Sequence, residues 1–429
     1  MVIYKVCIQI FNQTIQKSGF VFLDSQQSAH SLIVMKVIDM GNGKFILTVL
    51  ALLSFQKPGL TQTGPVPFQV KEGLFDHSKP ENLGLFPAPG AETFTIFRPQ
   101  EKDNKYNHGA VLMPFKGRLY AQWQSSSKDE DAPDTHVVYS SSPNGKDWTE
   151  PKTLVPQWEG GYKTGGGWWT DGETLIAYIN TWPSRPGALR EGYTEYMAST
   201  DGGNWTTPQP LLDNEGRPVK GIIEQGLHAL PDGRIIGAVH LQPGLIASPY
   251  YTDDPSGISG WTKGSMPNLP HSGTVSRELE PAWFYRADGA VVMVFRDQEN
   301  SFRKLASVSF DRGKNWTTPV LTEMPDSRSK QSAGNLPDGT AFQVNNPSGN
   351  KNRYPLAVAL STDGKFFDRA YLLRSGGAGL QERRYEGRYK RAGYSYPKSV
   401  VWNGYLYVSY ATNKEDVELT RAPLEGLSE

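Results

Sequence analysis

Apolar residues in this chain come in short runs, and at six places a single glycine separates two of them: Gly117, Gly172, Gly233, Gly289, Gly339 and Gly404. Each of these glycines reads as the turn of a hairpin. A strand such as Arg118-Leu119-Tyr120-Ala121 or Tyr405-Leu406-Tyr407-Val408 follows. Six such hairpins predict an all-β chain, and their regular recurrence predicts one repeating architecture.

The run Ser309-Phe310-Asp311-Arg312-Gly313-Lys314-Asn315-Trp316 fits the Asp-box pattern Ser-x-Asp-x-Gly-x-x-Trp. In such a turn the carboxylate accepts backbone N–H groups, the glycine supplies a positive φ, and the indole tucks between strands. Asp311 is therefore read as a structural staple. Degraded copies recur: one from Ser141 with Pro143 in the Asp place, a shorter one from Ser199, one from Ser361 ending in Phe367, and a stretched one through Asp253 and Asp254. Their terminal aromatics Trp148, Trp205, Trp261, Trp316 and Phe367 lie 57, 56, 55 and 51 residues apart. That period matches a four-stranded propeller blade.

The composition changes the picture little. Eleven Trp, 20 Tyr and 44 Gly suit short strands and tight turns, and 44 acidic against 44 basic side chains give no reason to expect nucleic acid. The N-terminal region differs from the rest. Met35, Lys36 and Lys44 precede the apolar run Phe45-Ile46-Leu47-Thr48-Val49-Leu50-Ala51-Leu52-Leu53, which has the length of a secretory h-region and is too short to span a bilayer. Residues 1–60 are expected to be a mis-assigned start plus a signal peptide, with translation beginning at Met35 or Met40, and residues 61–429 the propeller. The single cysteine, Cys7, lies upstream of that run, so the mature chain would lack disulfides and thiolates. A periplasmic or secreted monomer, not membrane-bound, is expected. The strand Thr93-Phe94-Thr95-Ile96-Phe97 precedes the first hairpin without a box, and is expected to close the ring by joining the last blade. Residues 61–92 are left over as possible material for a seventh blade.

The repeat also points to a site, because the inner strands of a propeller converge on a central channel. Nine residues before each hairpin glycine stand His108, Lys163, Glu224, Glu280, Lys330 and Ser395. Asn107, Trp168, Gln225, Arg296 and Tyr396 flank them. Aromatic faces beside cations and carboxylates suit an anionic sugar. His108, in Tyr106-Asn107-His108-Gly109, is the group able to exchange a proton near neutrality, although a solvated or structural role competes. No metal-ligand, phosphate-loop, dinucleotide or Gly-x-Ser-x-Gly motif occurs, so neither metal nor cofactor is expected.

The boxes, the blade period and the run Tyr106-Asn107-His108-Gly109-Ala110-Val111 through Ser140 resemble the sialidase-like propellers of polysaccharide-degrading bacteria. Within them the likeness is to exo-α-L-rhamnosidases that remove rhamnose linked α-1,4 to glucuronate on arabinogalactan. The resemblance implies seven blades and hydrolysis relying on one histidine, His108 or else His77, with help from the substrate itself. The strand-entry residues and their flanks, Asn107, Lys163, Trp168, Glu224, Gln225, Glu280, Arg296, Lys330 and Tyr396, are expected to bind the uronate-containing glycan. Three alternatives stay open. A uronate lyase would use His108, His136 and Tyr193. A sialidase would use Arg98 of Phe97-Arg98-Pro99, Glu280, Arg296 and Tyr396, with Asp131 or Asp134 as acid and Arg353 or Arg384 as further arginines. A glycan-binding propeller would turn nothing over.

Overall fold

The computed structural model describes residues 66–183 and 191–428, together with two short antiparallel strands, Lys36–Asp39 and Lys44–Leu47, which belong to a separate N-terminal unit. Cys7 and the part of the apolar run beyond Leu47 lie outside the described residues.

Six sheets built on the same antiparallel plan form a propeller. The inner strands are Tyr106–Phe115 in blade I, Gly161–Thr170 in blade II, Glu278–Tyr285 in blade IV, Ser332–Asn335 in blade V and Tyr394–Trp402 in blade VI. In blade III the inner strand is broken into Gly221–Ile223 and His228–Ala229, both paired with Ile235–Leu241. Helix is confined, among the described residues, to the 3-10 turn Gly377–Gly379 and the C-terminal turn Glu425–Ser428. Side chains of successive blades fill the space between sheets. One such layer joins Ala282, Phe284, Val292 and Val308 of blade IV to Ala341, Ala357 and Phe367 of blade V.

The ring closes through its ends. The strand Glu92–Phe97 pairs antiparallel with Asp416–Pro423 and supplies the outer strand of blade VI, so the edge that the last blade would expose is covered. The expectation of seven blades is corrected to six. Among the described residues, those from 66 to 91 build no further blade. Instead Gln69–Val70 runs parallel to Phe366–Phe367, and Phe68, Phe75, Leu83 and Leu85 fill the layer between blades IV and V. A segment with so little extended chain buries its apolar side chains by lying on existing sheets.

The boxes behave as staples. Asp311 accepts the backbone and side-chain N–H of Asn315, Ser309 Oγ accepts the N–H of Gly313 at φ +85°, and the Trp316 indole donates to Gly313 O. Trp316 is buried among Leu230 and Ile236 of blade III and Met293 and Leu305 of blade IV. In the first copy the turn is built on Ser142 and Asn144 rather than on Ser141 and Pro143. Asn144 Oδ1 accepts the N–H groups of Lys146 and Asp147. Strand direction alternates within each blade, so boxes and hairpin glycines share one face, and the starts of the inner strands lie on the other.

Candidate functional site

Near the start of the inner strands of blades I, IV and VI the ladder slips, between His108 and Val111, Leu279 and Ala282, and Ser395 and Lys398. Each slip contains a left-handed residue: Gly109 at φ +68°, Glu280 at +54° and Tyr396 at +58°. A bulge of this kind re-aims a side chain out of the alternation of its strand. For Glu280 and Tyr396 the positive φ is strained, as at many functional positions. In blade III the break in the inner strand holds Glu224 and Gln225.

These irregularities surround a cavity of about 540 Å³, lined among others by His108, Glu130, Asp131, Glu224, Gln225, Glu280, Arg296, Lys330 and Tyr396. Its walls are of two kinds. Blades I, III, IV, V and VI contribute the charged groups, whereas Tyr162, Trp182, Ile222, Ile223, Leu245 and Val275 make a largely apolar wall. Tyr162 and Trp182 lie nearly parallel there, 6.0 Å apart with rings inclined by 14°.

Two buried acid centres stand within it. Glu224 meets Lys330 Nζ at 2.7 Å and His240 Nδ1 at 2.9 Å. Burial raises its carboxyl, but Lys330 and His240 outweigh burial and hold it well below the usual range. Glu280 is contacted by Arg296 Nη1 at 3.1 Å and accepts a short hydrogen bond from Tyr396 Oη. Here too burial raises and Arg296 and Lys330 lower, leaving the carboxyl below its ordinary value. Burial, then Glu280, pushes the Tyr396 phenol well up. Lys330, Arg353 and Lys414 stand 5.1, 5.3 and 5.8 Å from the Tyr396 ring centroid. His240 also accepts the backbone N–H of Glu280 at 3.4 Å, linking the two centres.

His108 is 1% exposed, its ring centroid 4.2 Å from that of Tyr396, and neither ring nitrogen has a hydrogen-bond partner. Burial, followed by Lys414, Arg353 and Lys330, pushes its pKa well down, so the imidazole is neutral. Among the described residues no group of three or more His, Cys, Asp or Glu converges as a metal site would.

The structure thus gathers His108, Glu224, Gln225, Glu280, Arg296, Lys330 and Tyr396 in one cavity. Three other candidates are placed elsewhere. Asn107 faces into its blade, where Trp123 and Ser125 donate to its Oδ1 and its amide donates to Asn104 O and Glu415 O. Lys163 pairs with Glu195 at 3.0 Å, and Thr164 lines the cavity instead. Trp168 is buried between blades I and II, its indole bonded to Val111 O. Arg98 and Arg384 both engage Asp416 away from the cavity. His77 lines a separate pocket of about 490 Å³. Tyr193 is 40% exposed, and His136 bonds Asp134 O. Sequence reading missed His240, Glu130, Lys414 and the Tyr162 and Trp182 pair. Of these, His240 sits on a second strand, whose positions are compared only by aligning that strand across the blades.

The fold is that of the sialidase-like propellers, with six blades. Residues 117–408 match the BNR repeat-like domain family, and the chain belongs to it. A protein of unknown function from Dyadobacter fermentans is similar at 18% identity, covering 78% of this chain and 99% of its own with a TM-score of 0.60. A Hadza microbial sialidase gives 13%, 78%, 68% and 0.62 for the same quantities, and the intramolecular trans-sialidase from Ruminococcus gnavus 13%, 78%, 98% and 0.57. At these identities the likeness is one of fold. Among curated proteins none matches.

Proposed function

We propose that the chain is a glycoside hydrolase for sugars bearing a carboxylate, with Tyr396 and Glu280 as the reacting pair. The observation that carries this reading is the hydrogen bond from the partly buried Tyr396 hydroxyl to Glu280, itself anchored by Arg296. A phenol whose proton is already directed at a carboxylate can transfer it as the oxygen bonds to the anomeric carbon. A tyrosine nucleophile also avoids the repulsion that a carboxylate nucleophile would meet beside a substrate carboxylate, which is why sialidases depart from the two-carboxylate scheme. The leaving oxygen must receive a proton as its bond to the anomeric carbon breaks. Asp131, on the cavity wall, is the candidate acid, and water returning through the same path would release the sugar. Arg296 and Arg353 flank the pair and suit the substrate carboxylate. The sialidases among the structural neighbours act on substrates of this class.

A second reading is favoured by one observation, the neutral, unpartnered imidazole of His108 beside Tyr396. It is the hydrolysis of rhamnose linked α-1,4 to glucuronate with His108 handling the proton, the glucuronate facing the same cations. Incubation with a sialoside, with arabinogalactan and with a uronate polysaccharide, followed by identification of the released sugar, separates the two. Release of rhamnose favours the second reading, and a product absorbing in the near ultraviolet makes the chain a lyase. In the first reading Tyr396→Phe and Glu280→Gln each lower kcat by about 10²-fold or more, while His108→Ala retains most of it. The opposite pattern transfers the chemistry to His108. The natural substrate is a glycan, met outside the cell if the N-terminal run is an export signal.

A further inference from the structure

Beyond the bulges the inner strands continue toward the hairpin face, and a second chamber opens among them. It holds about 270 Å³. Gln225 separates it from the cavity above: its amide donates to Gly109 O and Gly165 O, and its oxygen accepts from Lys330. The side chain lines both spaces. The walls below are mainly Val111, Leu112, Trp168, Leu227, Ala282 and Phe342. Met113, Trp169, His228, Val400 and Val401 are half-buried, so the chamber communicates with solvent.

One cation faces this apolar space. Lys398 lines the chamber, is 2% exposed, and makes one side-chain hydrogen bond, to Gln331 O at 3.3 Å. An ammonium carries three donors, so most of its capacity is unused. His228, stacked on Trp283 at 3.5 Å, leaves Nε2 unpartnered at the same wall. Burial keeps this imidazole neutral, at about 3. An apolar chamber ending in one under-bonded cation matches a ligand with an apolar body and one negative charge.

We infer that the lower chamber is a second ligand site, for a small carboxylate with an aromatic or branched apolar body, held by Lys398 and distinct from the glycan cavity. Burial, then Lys330, lowers the Lys398 ammonium to about 7 against the opposing pull of Glu224 and Glu280. A bound carboxylate favours the charged form, so binding is strongest below that pH and weakens as pH rises through it. Calorimetry with benzoate as the probe, and uncharged benzamide as its control, tests this on the full chain at pH 6 and pH 9. Benzoate should bind saturably at pH 6, about tenfold or more tighter than at pH 9 and than benzamide at either pH. Lys398→Met should remove both differences. Val401→Trp, which leaves the lysine untouched and narrows the solvent-facing wall, should weaken benzoate equally. Equal binding of benzamide, binding unchanged in Val401→Trp, or no saturation below about 10 mM benzoate would overturn the assignment. So would unchanged benzoate affinity in Lys398→Met. None of these readouts depends on glycoside turnover.

Discussion

Replacing Lys330 by methionine isolates the electrostatics on which the cavity rests. Lys330 Nζ lies 2.7 Å from Glu224 Oε2 and both side chains are 8% exposed, so solvent screens the pair little. At an effective dielectric of ~20 the gross attraction is about 6 kcal/mol. Desolvation offsets much of it, and the net cost of leaving one buried partner uncompensated is about 3–5 kcal/mol. Glu224 keeps its contact with His240, which places the expected loss at the lower end of that range. Lys330→Met should therefore lower unfolding stability by about 3 kcal/mol in urea, with the m-value unchanged. Adding Glu224→Gln should restore about 2 kcal/mol, because the second substitution removes the stranded charge. The pH response fixes the sign. In the wild type the folded carboxyl is depressed, so its contribution is full above the unfolded value of about 4.3 and is lost as pH falls below it. Without Lys330 the strongest lowering partner is gone, so the carboxyl rises from its depressed value and acid destabilisation of the variant becomes less steep than that of the wild type. A single variant within about 0.5 kcal/mol of the wild type, or a double variant whose losses simply add, would refute this account.

Asp311→Ala should cost about 1 kcal/mol by removing the hydrogen bonds that Asn315 donates to it in an exposed turn while leaving turnover intact; lost turnover in a folded variant would contradict a purely structural box. A chain beginning after Phe97 should unfold at markedly lower denaturant than the full chain, because Asp416–Pro423 becomes a bare edge and the layer between blades IV and V loses Phe68, Phe75, Leu83 and Leu85, and equal midpoints would show that neither closure nor this strap contributes. Expressed in a cell with an export pathway, the protein should appear outside the cytoplasm with a mature N-terminus shortly after Phe55. Terminal sequencing that finds Cys7 in the exported chain would end that proposal.

The features legible along the chain are those that repeat. Hairpin glycines and box aromatics recur because every blade solves the same local problem, a tight turn at one face and an aromatic staple between sheets, and local chemistry is written in consecutive residues. Ring closure was legible for the same reason, since Thr93-Phe94-Thr95-Ile96-Phe97 is a strand lacking the box that would follow its own blade. Blade number was not. Residues 66–91 lie on existing sheets through Phe68, Phe75 and Leu85, and only their packing distinguishes a strap from a blade. In the site, counting back from the hairpin glycines found His108, Glu224, Glu280 and Lys330, but Lys163 and Asn107 turn away. A strand has period two, so one bulged residue decides which side chain faces the channel. Register slips at Leu279 and Ser395 are set by pairing with the neighbouring strand. The partnerships that give the site its chemistry, Tyr396 with Glu280 and Lys330 with Glu224, join residues 116 and 106 positions apart. Ring closure brings such pairs together, and a linear pattern contains no term for that distance.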